Sequence, residues 1–246
     1  MKEPFFIVGC VRSGTTLLRN ILRRHPNLEC PEETFFFRWG DPFASVRYDQ
    51  QTQIAVLKKH RAIDGISGEE FRSLYDSATT RRALADRYGE FYLKKRNNSM
   101  ARWFDKSPQN VYGMLLISAL YPGVKFIHIH RSPLNVVASL LEGKVMLPHT
   151  LKGGVNYWNE AMQIINKFKE AWPEQVFELS YEELTTDLEA NINELLSFLD
   201  EDVSAIKLTT DMVHLEQNKY LKYLQKEDVE YIRQHCRLFM TRYGYF

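Results

Sequence analysis

The sequence predicts an α/β fold in three layers, a central parallel sheet with helices on both faces, as one domain over residues 1–246. Three observations carry this. Strand-like and helix-like segments alternate along the chain, the pattern of a parallel sheet built from crossover units. The first strand-like run is continuously apolar, as a strand buried on both faces requires. The clearest later strand ends in an arginine, at the edge where open α/β sheets bind ligands.

The elements follow in order. Residues 5–9 form the first strand, Phe-Phe-Ile-Val-Gly. A turn-rich loop runs from Cys10 to Gly14. A helix over 15–24 then places Leu17, Leu18, Ile21 and Leu22 on one apolar face, and Pro26 ends it. Residues 40–100 read as mostly helical. Ser67-Gly68-Glu69-Glu70 opens a short helix as a capping box. The helix Arg81–Lys95 carries many charges, which make a solvated face. A short strand is expected over 102–105, a helix over 111–120 and a clear strand over 124–129. Pro133 suits the first turn of a helix that runs to Gly143. A loop with Pro148, Gly153 and Gly154 is expected next, and another helix then reaches Trp172 and stops before Pro173. Residues 176–179 form a strand and 188–199 an amphipathic helix. A single last helix is expected over 226–243.

Composition narrows the class. With 32 Lys+Arg against 31 Asp+Glu the formal net charge is +1, which argues against a broad nucleic-acid surface. A local basic pocket for a small anion stays compatible with that balance. Cys10, Cys30 and Cys236 form neither a CxxC pair nor a disulfide framework, so they read as reduced thiols in a cytoplasmic protein. No apolar run is long enough to span a bilayer, and the N-terminus lacks a signal-peptide core.

The chemistry starts at Gly9-Cys10-Val11-Arg12-Ser13-Gly14-Thr15-Thr16, between the first strand and the first helix. The frame has the spacing of a P-loop, with Thr15 where the lysine stands. Glycines let the backbone approach a phosphate closely, and the free N–H groups and dipole of the helix start favour an anion. Ser13, Thr15 and Thr16 add hydroxyl donors, and Arg12 adds a forked cation. A kinase or ATPase would need the missing lysine and a magnesium-binding aspartate at a second strand end. Here the strand over 124–129 runs into Arg131 instead. Ser139, two turns into the following helix, could converge with Arg131 on one phosphate.

The run Arg12-Ser13-Gly14-Thr15-Thr16-Leu17 resembles the 5′-phosphosulfate loop of sulfotransferases that use 3′-phosphoadenosine-5′-phosphosulfate (PAPS), most of all the tyrosylprotein and bacterial branch. The resemblance implies the P-loop-like sulfotransferase fold, and PAPS as co-substrate with PAP as product. It places Arg12, Ser13, Gly14, Thr15 and Thr16 on the 5′ end, and Arg131 and Ser139 on the 3′-phosphate. Tyr181, in Ser180-Tyr181-Glu182-Glu183-Leu184, would sit by the adenine. Lys219 would belong to a basic loop over the nucleotide.

Sulfonate transfer is in-line displacement at sulfur with charge growing on the bridging oxygen, so it needs fixed donors and a base for the acceptor. No metal is expected, because the transferred group carries less charge than a phosphoryl group. In Glu29-Cys30-Pro31-Glu32-Glu33-Thr34 the resemblance assigns the base to Glu33, with Glu32 as the neighbour open to confusion. In Asp105-Lys106-Ser107-Pro108 it assigns the acid to Lys106, which Arg12 assists. The cytosolic small-molecule branch carries a histidine base where this chain has Pro108, which favours a glutamate base. His128 and His130 alternate on one strand face without a third ligand, and His149 is expected to line the acceptor pocket. The acceptor is expected to be a small molecule or carbohydrate, with a tyrosine peptide as the alternative. Dimers occur among tyrosylprotein enzymes, so a homodimer is an open expectation. The rival readings are a P-loop kinase for small molecules or nucleotides, which would bind ATP with magnesium, and a nucleotide-binding module without turnover.

Overall fold

The computed structural model describes residues 2–143, 150–213, 216 and 218–246. Among the described residues five strands form one parallel sheet: β1 (Phe5–Val8), β2 (Leu28–Glu29), β3 (Arg102–Lys106), β4 (Phe126–His130) and β5 (Val176–Ser180). Their order is β2-β3-β1-β4-β5. Ile7 lies opposite Lys106 on one side and Ile127 on the other, so β1 is central. Because β3 and β4 flank β1 on opposite sides, a cleft opens above the carboxyl end of β1.

Successive strand residues point to opposite faces of a sheet, and two cores follow from that alternation. Phe5, Ile7, Ile127 and Ile129 pack with Leu18, Ile21 and Leu22 of α1 (Thr15–Leu22). Phe6, Val8 and Phe126 pack into the larger core on the other face. That face is covered from the chain's middle and end. The stretch between β2 and β3 supplies α2 (Val46–Thr52), α3 (Ala55–Ile63), α4 (Gly68–Ser77) and α5 (Arg81–Lys95). After β3 come a 3₁₀ turn over Pro108–Gly113 and α6 (Met114–Leu120); after β4 come α7 (Pro133–Gly143) and α8 (Leu151–Ala171). After β5 come α9 (Tyr181–Thr186) and α10 (Leu188–Phe198), which return to the α1 face through Leu184, Ile192 and Leu195. α11 (Lys226–His235) and α12 (Arg237–Tyr243) close the chain on the larger core. The three predicted layers are present.

Four points of the sequence reading need correction, the first being that Gly153 and Gly154, expected in a loop, lie in the first turn of α8, where Thr150 Oγ1 accepts from Gly153 N at 3.1 Å. The single last helix is two, because Cys236 (φ −98°, ψ 4°) leaves helical geometry between α11 and α12. No glycine or proline announces that break. β2 went unforeseen, since two residues carry no periodicity. The charges of α5 are not all solvated: Arg87, Glu90, Lys94 and Lys95 are exposed, but Arg81 is buried, and its Nη1 donates to the Trp39 carbonyl at 2.7 Å. The capping box of α4 forms as expected, with Ser67 Oγ accepting from Glu70 N at 3.1 Å and Glu70 Oε2 accepting from Ser67 N at 2.8 Å. No helix among the described residues is long and apolar enough to cross a membrane.

Candidate active site

At the carboxyl end of β1 the chain turns through Gly9 (φ 150°) and Arg12 (φ 72°) to Gly14 (φ 98°), which caps α1. These are backbone conformations that suit glycine and cost other residues free energy. At Gly14 space also forbids a side chain, since a Cβ there would lie 2.6 Å from Tyr181 Cδ2. The loop therefore lies directly on the Tyr181 ring. The first N–H groups of α1 have no helical partner by construction, and with the dipole they make an anion site.

Above them is a cavity of about 290 Å³, lined by Arg12, Gly14, Thr15, Thr16, Glu33, Arg131 and Ser139, with Val11, Phe35, Pro108, Gln109 and Glu216 completing its walls. The two motifs meet inside it: Arg12 Nε donates to Ser139 Oγ at 2.9 Å. Arg131 is 5% exposed. Its guanidinium carbon lies 4.1 Å from the centroid of the Tyr181 ring, a cation–π contact that fixes its plane. One Arg131 nitrogen donates to the Glu216 carbonyl at 2.5 Å. Trp158 Nε1 donates to the Arg131 carbonyl at 3.2 Å and holds the strand end from below.

Two donors are left over. Ser13 Oγ and Arg131 Nε are buried with no hydrogen-bond partner among the described residues. Buried polar groups rarely go unpaired. Both belong to the two motifs assigned to phosphates, so an anionic ligand with separate phosphate groups fits what the cavity offers.

On the opposite wall, Glu33 is in direct contact with Lys106 Nζ, and Lys106 Nζ lies 3.4 Å from Thr16 Oγ1. Lys106 is 3% exposed while Glu33 is half-buried and faces the cavity. The two glutamates are thereby told apart. Glu32 turns away from the cavity to Arg19 at 2.8 Å and Arg23 at 3.8 Å. Burial alone would push its carboxyl up, but the Arg19 hydrogen bond and the charges of Arg19, Arg23 and Lys106 hold it below the ordinary carboxylate range.

The structure thus brings together Arg12, Gly14, Thr15, Thr16, Arg131, Ser139, Glu33 and Lys106, with Tyr181 and Ser13 behind the loop. Lys219 sits further out, outside the cavity lining. It pairs with Glu142 at 3.0 Å and with Glu216 at 3.2 Å, so it joins the site through the glutamate that also meets Arg131. Pro148 and His149 lie outside the described residues. His128 Nδ1 meets Glu178 at 3.0 Å and His130 Nδ1 meets the Tyr245 hydroxyl at 2.6 Å.

Sequence reasoning missed Phe35, Gln109 and Glu216. Phe35 is a bulky residue at φ 55°, and nothing in its sequence context signals that strain. Gln109 follows the noted Pro108 and was within reach of a motif reading. Glu216 comes from a segment with no recognisable pattern.

The chain is 24% identical over 207 residues to protein-tyrosine sulfotransferase A of Caenorhabditis elegans, across 80% of this chain and 50% of that protein. It spans half or less of the length of the first curated relatives it matches. Among solved structures, the sulfotransferase domain from the curacin biosynthetic pathway superposes with a TM-score of 0.62 at 17% identity, covering 96% of this chain and 98% of that one. A mouse sulfotransferase solved in complex with PAP superposes with a TM-score of 0.56 at 16% identity, covering 97% and 84%. These likenesses support the fold. The profile of the sulfotransferase family matches residues 4–205, which hold the whole sheet and every residue lining the cavity except Glu216, and the chain belongs to that family.

Proposed function

We propose that this chain transfers a sulfonate from PAPS to a hydroxyl or amine of a small-molecule or carbohydrate acceptor and releases PAP. The observation that carries the proposal is the direct contact of Glu33 with Lys106 across from the Arg12–Ser139–Arg131 wall of one cavity. The PAP complex of the mouse neighbour supports the choice of nucleotide.

Each side chain then has a task. Arg12, Ser13 and the first turn of α1 hold the 5′-phosphosulfate end, while Arg131 and Ser139 hold the 3′-phosphate. Tyr181 flanks the base from beneath the loop, and Lys219, held at the rim by Glu142 and Glu216, closes over the nucleotide. The acceptor enters beside Glu33. As its oxygen or nitrogen forms the new bond to sulfur, its proton passes to the Glu33 carboxylate. The bond from sulfur to the bridging oxygen breaks, and the charge left on that oxygen is met by Lys106 Nζ and Arg12. Preorganised cations of this kind cost no reorganisation as charge develops. Three buried free thiols at Cys10, Cys30 and Cys236 support a cytoplasmic setting.

A second reading, a tyrosine peptide as acceptor, is favoured by the protein-tyrosine sulfotransferases among the relatives. An acceptor screen with tyrosine peptides, sugars and phenols separates the two.

The first test is a thermal-shift titration with PAP against ATP plus magnesium. A ligand that binds only the folded state raises the melting temperature by mass action. A shift with PAP and none with ATP is expected. A shift with ATP and magnesium alone sinks the proposal in favour of a kinase. If Glu33→Ala and Lys106→Ala both keep full transfer activity, the two roles are wrong.

A further inference from the structure

Glu33 and Lys106 stand 73 residues apart in sequence, on a loop and at the end of a strand. Backbone pairing between β2 and β3 stops at Glu29 opposite Trp103. Beyond that point the loop leaves the sheet, and ladder hydrogen bonds no longer fix where Glu33 falls. Side chains take over one residue from each reactive group.

Thr34 follows Glu33, and Asp105 precedes Lys106. Thr34 Oγ1 donates to Asp105 Oδ2 at 2.5 Å. The other carboxylate oxygen, Oδ1, accepts from Asn110 Nδ2 at 3.0 Å. Ser107 Oγ, two residues along the same chain, accepts from the backbone N–H of Thr34 at 3.1 Å and of Phe35 at 3.4 Å. Thr34 is 6% exposed, Asp105 1%, and Ser107 and Asn110 0%. Phe35 bends away in the left-handed region at φ 55°, a conformation that persists only where its surroundings hold it. Its ring then lines the cavity next to Glu33. From the far side, His60 Nδ1 meets the Glu33 carbonyl at 2.9 Å, and Asp64 Oδ1 accepts from Glu32 N at 2.9 Å.

A carboxylate this deep is a poor choice for stability alone. Charge in the interior is costly to desolvate, and well-packed apolar groups often stabilise as much or more. What the Asp105 carboxylate achieves is register. It ties the loop at Thr34 to the strand at the residue before Lys106, and the Ser107 hydroxyl does the same one step on. We propose that Asp105, acting through Thr34 and with Ser107, is a positioning residue that sets the Glu33 carboxylate against Lys106 Nζ. Its catalytic meaning rests on the sulfotransferase reading given above.

The test uses the full chain with Thr34→Val, Thr34→Ser and Asp105→Asn. Three readouts apply to each: PAP affinity by calorimetry, PAP released from PAPS with 4-nitrophenol as acceptor, and a crystal structure with PAP. Thr34→Val should lower kcat on the order of 10²-fold, the cost of misplacing a reacting group by about 1 Å. PAP affinity and the KM for PAPS should stay within about threefold, because the phosphate donors lie on other elements; Thr34→Ser, which keeps the hydroxyl, should restore kcat. In the Thr34→Val crystal structure Glu33 should have moved off Lys106. Asp105→Asn, close to isosteric, is read in the same way if Thr34→Val does not fold. Unchanged kcat, or an unchanged Glu33–Lys106 contact in the variant crystal structures, overturns the clamp. Wild-type protein that neither binds PAP nor releases it from PAPS overturns the sulfotransferase reading instead, and the crystal positions of Glu33 and Lys106 still decide the clamp.

Discussion

Arg12 Nε donates to Ser139 Oγ at 2.9 Å, and this bond joins the loop after β1 to the helix after β4. The two motifs read as phosphate sites, 127 residues apart, therefore form one wall of a single cavity. Ser139→Ala should release Arg12 and remove a hydroxyl donor from the ligand. Hydrogen bonds to charged groups contribute about 1.5–3 kcal/mol, so PAP affinity should fall roughly 10- to 100-fold. Isothermal calorimetry checks this, and a melting temperature close to wild type would show that the fold is intact.

Gly14→Ala should be worse than its size suggests. The backbone at φ 98° is costly for any side chain, and the new Cβ would lie 2.6 Å from the Tyr181 ring. Strain of this type costs about 1–3 kcal/mol. A lower denaturation midpoint is expected together with loss of PAP binding, because Tyr181 or the loop must move. A variant with wild-type stability and wild-type PAP affinity would contradict the packing described.

The two glutamates should separate cleanly. Glu33→Gln should keep PAP affinity and lose transfer by roughly 10²- to 10⁴-fold, the range of general-base contributions. Glu32→Gln should keep both PAP affinity and transfer and lower stability instead, since its partner Arg19 is buried and loses its ion pair. Leaving such a group underpaired costs about 1–3 kcal/mol. Parallel PAP-release assays and chemical denaturation of the two variants give the answer, and a reversed pattern would exchange the roles.

Stability should depend on pH through Asp105. Burial pushes its carboxyl up to about 6, with the Thr34 and Ser107 hydrogen bonds opposing that rise. A carboxyl raised above its unfolded value binds its proton more tightly when folded. Its stabilising contribution is therefore full below about pH 4 and is lost as pH rises through about 6. Asp105→Asn removes this dependence. Relative to that variant, the wild type should lose on the order of 3 kcal/mol between pH 4 and 6.5. Urea denaturation at half-unit pH steps measures the difference, and parallel pH curves for the two proteins would rule the linkage out.

Much of this was legible before any coordinates. The turn from Gly9 to Thr16 and the strand-end Arg131 could be found because they obey local rules: a glycine where the backbone turns left-handed, a cation where a strand meets a helix start. Glu33 and Lys106 came from resemblance rather than from periodicity. The break at Cys236 and the burial of Arg81 were not legible, because each depends on what packs against it.

The sequence by itself determined the alternation of elements, the three layers and the positions of the glycine-rich loop and the strand-end arginine, because those follow from the pattern of each segment and its neighbours. Only the tertiary structure decided which partners meet. It turned Glu32 to Arg19 and left Glu33 to Lys106; it bonded Arg12 to Ser139; it placed Glu216 between Arg131 and Lys219. The physical reason is that the deciding contacts join residues far apart in the chain, 73 for Glu33 and Lys106, 85 for Arg131 and Glu216 and 127 for Arg12 and Ser139. Their distances are set by strand register and helix packing, which no local stretch of sequence encodes.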